Sequence, residues 1–263
     1  MTMYISTNLY KPQQLQEIFT LVDKVAVPVG IEIFPEWQSE DFCTAIKKYR
    51  DAFRQYPITL HGPYYGTEHS KPEGTKEFAQ ATAYFAKTLE LSQSLHAGHI
   101  VFHHNNCPVD AAHKQEMIAI STENLLKLRH SAAAFGARIV VENAGVLARK
   151  NMLFDQDEFI EMAGNIEEKI LLDIGHAYAN GWDIKYVMEK LADRITAYHV
   201  HNNDGHEDKH DRIFNGKFKF ANFIDWYKTY TPNADIVVEY GQQCAQDIDG
   251  IAADVSYISQ NIK

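Results

Sequence analysis

Three cysteines, Cys43, Cys107 and Cys244, are too few and too scattered for a disulfide framework, and without a CxxC pair they offer no thiolate zinc site. That usage fits a reducing compartment. The chain also lacks a glycine-rich phosphate loop: neither GxGxxG nor GxxxxGKS/T occurs, so a dinucleotide or P-loop fold has nothing with which to grip its ligand. No window approaches the roughly 20 apolar residues of a membrane span, and the N-terminal MTMYISTNLY has neither the basic nor the apolar region of a secretory signal. Positive charge is in deficit. With 25 Lys and Arg against 35 Asp and Glu, the formal net charge of −10 opposes general affinity for nucleic acid or acidic membranes, since both depend on excess cation. A cytoplasmic protein is expected. Nor does any linker, charge block or low-complexity stretch divide the 263 residues, so one domain over 1–263 is expected, with 45% hydrophobic content to fill a single large core.

What is present is a rhythm. Short apolar runs alternate with longer amphipathic patterns to the end of the chain, as in a parallel α/β fold. Strands are predicted near 3–6, 29–34, 57–61, 99–103, 138–142, 170–173, 195–201 and 235–239. Helices fall between them, at 11–23, 39–54, 73–96, 110–135, 155–164, 183–192, 220–229 and 247–261. Asp110, Asp155 and Asp183 stand where N-caps are wanted. Polar candidates terminate six successive strands, the third to the eighth. This predicts a closed (β/α)8 TIM barrel with its active site at the C-terminal strand ends, rather than an open doubly wound sheet.

The chemistry sits where the apolar runs stop. IVVE ends on Glu142, ILLD on Asp173, ITAYHVH carries His199, and a second IVVE ends on Glu239. PITLH and HIVFH end on His61 and His103, with His104 an alternative for the fourth strand. A strand buried on both faces reads as a continuous Val/Ile/Leu run, and its last residue faces the mouth of the fold, so side chains delivered this way converge. A lone acidic residue closing a strand usually caps a loop or pairs with a cation; several in series speak for a shared site. Oxygen and imidazole donors suit manganese, magnesium, cobalt, iron or zinc.

His176 follows Asp173 by three residues, and Asp208 and His210 form an Asp-x-His pair in the polar loop after strand seven. Phe34 and Trp37 after strand two, Tyr64 and Tyr65 after strand three, and Trp182 after strand six could wall a sugar ring or pack their own loops. Arg212 is a candidate for a substrate hydroxyl, phosphate or carboxylate. Glu32, inside GIEIFPEW, is a candidate at the barrel mouth, where a buried charge needs a partner. His69, His96, His113 and His130 carry no motif and are read as surface or packing residues.

From His61 to Glu239 the chain resembles the xylose isomerase-like TIM barrels, which include sugar and sugar-phosphate isomerases and epimerases and the endonuclease IV type of apurinic endonuclease. In its single-metal epimerases the ligand positions correspond to Glu142, Asp173, His199 and Glu239, and the two glutamates double as a proton-transfer pair. The endonuclease-like members use a larger set that matches His61, His103, Glu142, Asp173, His176, His199, Asp208, His210 and Glu239, implying up to three ions. Against a nuclease stand HGPYYGTEH where a HAPYLIN-like loop is typical, HHN in place of HPG, Glu239-Tyr240-Gly241 in place of Glu-Thr-Pro, and a short segment between His199 and Asp208.

The expectation is therefore a metal-dependent isomerase or epimerase of a small sugar, sugar phosphate or polyol. It would work through a metal-stabilised enediolate, with Glu142 and Glu239 as acid and base. One ion of manganese, cobalt, magnesium or zinc is favoured, and a carbohydrate is the expected partner. The resemblance also implies a homo-oligomer. The alternatives are an endonuclease IV-like phosphodiesterase with a multinuclear zinc site, a dehydratase or lyase using the same enediolate, and a noncatalytic sugar-binding barrel.

Overall fold

The computed structural model describes residues 1–262. Eight parallel strands close into one barrel in sequence order: β1 (Met3–Ser6), β2 (Gly30–Ile33), β3 (Ile58–Leu60), β4 (Ile100–Phe102), β5 (Ile139–Glu142), β6 (Lys169–Asp173), β7 (Ile195–Val200) and β8 (Asp235–Val238). Closure comes from the pairing of β1 with β8, which leaves no free sheet edge. Around it run α1 (Glu17–Lys24), α2 (Glu40–Phe53), α3 (Lys76–Leu95), α4 (Lys114–Ala134), α5 (Gln156–Asn165), α6 (Ile174–Ala179), α7 (Ile184–Lys190), α8 (Phe220–Tyr230) and α9 (Ile248–Asn261). Among the described residues no helix is long and apolar enough to cross a membrane.

The helix starts follow side-chain chemistry. Asp155 accepts from the Glu158 amide while Glu158 reaches back to the Asp155 amide, a reciprocal box that opens α5. Asp183 caps α7 as expected. Asp110 does not cap α4: its carboxylate accepts from the Ala112 amide and pairs with His113 at 2.8 Å, ordering a turn, and the helix begins only at Lys114. The stretch predicted as a helix from residue 11 is irregular up to Glu17, because Pro12 opens a separate 3-10 turn. The six-residue α6 was not expected; it starts directly on Asp173, whose carboxylate accepts from the His176 amide at 2.7 Å.

Inside the barrel, Val101, Val140, Leu171 and Ala197 form a small apolar cluster separate from the main core between strands and helices. Alternate residues of a strand share a face. Two residues further along each of these strands come His103, Glu142, Asp173 and His199. The polar centre is thus the next interior layer of the barrel, resting on an apolar floor, and Asp173 and His199 are direct cross-strand partners.

Candidate metal centre

The nine residues singled out from the sequence meet in one place. They form overlapping groups, each with donor atoms within 4.8 Å of one another. His61, His103 and Glu142 make the first such group, Glu142, Asp173 and His199 the second, and His176, His201, Asp208 and His210 the third; Glu239 makes two more, one with His61 and His199 and one with Asp173 and His201.

Glu142 is the hub. Its Oε2 lies 2.8 Å from His103 Nε2, 3.4 Å from His199 Nδ1 and 3.9 Å from His61 Nε2, while its Oε1 is 3.2 Å from His176 Nδ1. Glu239 faces it across the cavity, 3.4 Å from the same His199 nitrogen and 4.0 Å from His61. Asp208 links the third group, 3.1 Å from His210 Nε2 and 3.4 Å from His176 Nε2. His103, not His104, is the inward histidine of β4: His104 packs edge-on between Phe102 and Phe154 with both ring nitrogens buried and unpartnered.

Outward-turned nitrogens set the rings. His61 Nδ1 donates to the Gly62 carbonyl at 2.7 Å, His103 Nδ1 to Asn106 Oδ1 at 3.0 Å and His210 Nδ1 to the Glu239 carbonyl at 2.9 Å. Each leaves Nε2 as the inward atom, because a neutral imidazole donates from one nitrogen and accepts at the other. The ends of β5 and β6 are stitched by Asn143, which donates to the Asp173 carbonyl and accepts from the Asp173 amide.

The electrostatics follow from crowding four carboxylates and six imidazoles in a buried space. Burial opposes ionisation of Glu142, yet His103 and His199 hold it well below the usual carboxylate range. Asp173 is likewise held down, to about 2, with His176 and His201 outweighing burial. For Glu239 burial wins over His199 and His210, with the Glu142 charge adding to it, and the group rises to about 7. Burial opposes charge on His176 and His199 as well, but the surrounding carboxylates carry both well above their ordinary value. His210 rises to about 9, with Asp208 the main favourable neighbour set against burial. Burial and neighbouring His103 keep His61 neutral.

The donor set fits divalent ions. Glu142 Oε1, His176 Nδ1, His199 Nδ1 and Asp208 Oδ1 are buried without a hydrogen-bond partner, and all four belong to the ligand groups. Buried polar atoms are normally satisfied, and a cation shared among such atoms satisfies them at once.

Above the centre lies a cavity of about 180 Å³, and Phe34, Tyr64 and Tyr65 form its aromatic side. Arg149 stands at its rim, Nη1 3.0 Å from the Asp208 carboxylate, tying the loop after β5 to the loop after β7. Of the residues expected to meet substrate, Phe34, Tyr64 and Tyr65 line this cavity and four do not. Trp37 turns into the helix layer, donating to Thr88 Oγ1 and packing edge-on against Phe42. Trp182 packs on Phe159 under the loop. Arg212 is consumed by Asp254 and Asp247 of the last helix segment and the Gly250 carbonyl. Glu32 is fully buried beneath the site, against His199 and Thr59.

Three contributors escaped the sequence reading. His201, two residues past His199 and so on the same face, reaches Asp173 at 3.0 Å; the HVH alternation was its signal. Asn106 and Arg149 carried no signal beyond their place in loops after β4 and β5.

Residues 13–260 match the family described as Xylose isomerase-like TIM barrel. The chain belongs to that family. A curated relative, an uncharacterised protein of Methanocaldococcus jannaschii, is 30% identical over 161 residues; the match spans 61% of this chain and 61% of that relative's length. The fold is similar to the crystal structure of a D-tagatose 3-epimerase-like protein (18% identity, all of both chains, TM-score 0.76). D-psicose 3-epimerase from Clostridium cellulolyticum H10 superposes over all of both chains at 14% identity with a TM-score of 0.77. The IOLI protein with a bound zinc atom covers all of this chain and 98% of its own, at 14% identity and TM-score 0.78.

Proposed function

We propose that the protein is a divalent metal-dependent isomerase or epimerase of a small sugar, sugar phosphate or polyol. The observation that carries this reading is the pairing of Glu142 and Glu239, delivered by β5 and β8 and each 3.4 Å from His199 Nδ1. Glu142, Asp173, His199 and Glu239 would hold the ion. When bound, it would act as a Lewis acid on substrate oxygens.

Glu142 would accept the proton next to the substrate carbonyl, and Glu239 would return one from the other side. Proton exchange by such positioned groups contributes about 10²–10⁴-fold. Phe34 and Tyr64 would offer an apolar face to the sugar ring. The epimerase neighbours support this class.

A second reading is favoured by one observation. His61, His103, His176, Asp208 and His210 extend the ligand set beyond what one ion requires, as a multinuclear phosphodiesterase would need. The net charge of −10 weighs against duplex DNA as its substrate.

The test is solvent exchange. Metal-loaded protein in D2O with a panel of ketoses and ketose phosphates should wash deuterium into a carbon next to the carbonyl, read by proton NMR. Glu142→Gln and Glu239→Gln should each abolish this while leaving the circular dichroism unchanged. No exchange with any ketose, together with cleavage of abasic-site duplex, would replace this reading with the second.

A further inference from the structure

The ligand groups are not equivalent in how their imidazoles are backed. His61, His103 and His210 turn their outward nitrogens to neutral oxygens, the Gly62 carbonyl, the Asn106 amide and the Glu239 carbonyl. His199 alone turns its outward nitrogen to a carboxylate that belongs to none of the ligand groups: Nε2 lies 3.0 Å from Glu32 Oε1. Both side chains are fully buried, and the second Glu32 oxygen accepts from Thr59 Oγ1 at 3.3 Å.

A carboxylate behind an imidazole does two things. It fixes the ring, here with the Nε2 proton directed at Glu32 so that Nδ1 is the atom left to meet an ion among Glu142, Asp173 and Glu239. It also adds electron density to the ring, so the inward nitrogen becomes a stronger donor than one backed by a neutral carbonyl. Burial magnifies both effects, because no water screens the pair.

We propose that Glu32 is a positioning residue that makes the place around His199 Nδ1, where Glu142, Asp173 and Glu239 converge, the first to fill and the tightest, ahead of the group of His61, His103 and Glu142 and that of His176, Asp208 and His210. This rests on the reading that the centre holds divalent ions. It goes beyond that reading by ranking the groups and assigning the rank to a residue outside them. A chain with donors for several ions would then hold a single ion over a range of metal concentrations. That single ion would be held beside the two glutamates assigned to proton transfer.

Metal binding tests this without any turnover assay. Chelator-treated protein is titrated with Zn²⁺ against a chromophoric competitor, for the wild type and Glu32→Gln, which keeps the shape and removes the charge. The tightest step should weaken by about 10–100-fold, the usual effect of losing such a partner, with later steps unchanged and the unfolding temperature retained. A general loss of stability would weaken all steps together, so uniform weakening overturns the proposal, as does an unchanged tightest step. Should Glu32→Gln fail to fold, zinc-edge anomalous diffraction on wild-type crystals given one equivalent decides. Density at His199 supports the ranking, and density first at His176, Asp208 and His210 overturns it. No zinc uptake by the wild type would sink the functional reading as well, whereas normal uptake with an unaffected variant sinks this inference alone.

Discussion

Nε2 of His103 lies 2.8 Å from Glu142 Oε2, while the adjacent His104 points the opposite way and meets no polar atom. Neighbouring residues of one strand end are thereby sorted by the barrel into a centre-facing donor and a core filler.

Substitution of the two should part cleanly. His103→Ala removes a donor beside Glu142 and should lower metal stoichiometry or affinity. His104→Leu replaces a ring whose nitrogens are buried unsatisfied, pushed down to about 3 by burial and by His69 and His103. Relief of that desolvation is worth about 1–3 kcal/mol, so His104→Leu should leave metal content unchanged and raise, or at worst hold, the unfolding free energy in urea.

Gly175 is packed against His201: a Cβ there would lie 2.0 Å from the imidazole Cε1. Gly175→Ala should displace that ring and break its 3.0 Å contact to Asp173. Overpacking of this kind costs about 1–3 kcal/mol, to be read in denaturant unfolding, with zinc affinity falling in the same variant. An unaltered unfolding midpoint would show that the ring has room to move.

Metal-free protein should show a specific alkaline weakness. His210 rises from an ordinary value of 6.5 to about 9 in the fold, so it binds its proton more tightly folded than unfolded. The stability this supplies is complete below about 6.5 and lost as pH climbs through about 9. In differential scanning calorimetry the chelated protein should lose unfolding temperature between pH 7 and 10. Zinc-loaded protein should not, since the ion takes the place of the proton.

The same displaced protons should be countable. His176, His199 and His210 are all raised, so an ion entering at pH 7 must expel protons to reach their nitrogens. Isothermal titration of zinc in buffers of different ionisation enthalpy should give binding heats that vary linearly with that enthalpy, with a slope corresponding to proton release. A flat line would mean that the imidazoles are already neutral.

Much of this centre was readable because a parallel strand buried on both faces is a plain apolar run, and Glu142, Asp173 and Glu239 interrupt such runs. His199 and His103 followed from the same logic. The failures have a common cause. Loop position after a strand tells which end of the barrel a residue occupies but not which way its side chain turns, so the sequence points Trp37, Trp182 and Arg212 at substrate although helices α2, α5 and α9 claim them. Glu32 was placed at the mouth because register between strands is not visible in a single strand; its pairing with Thr59 sets it below the centre. The short α6 escaped because six residues around a glycine carry no helical period.

The layered interior has one more consequence. Glu142, Asp173 and His199 belong to strands whose register is locked by the closed ladder, whereas Phe34, Tyr64, Tyr65 and Arg149 stand on the connecting segments beyond it. Slipping β7 by one place would turn Val200 inward in place of His199 and take the imidazole out of reach of Asp173 and Glu142. Exchanging the segments after β2 and β3, which carry Phe34, Tyr64 and Tyr65, would alter the wall of the cavity and leave Glu142, Asp173 and His199 in place.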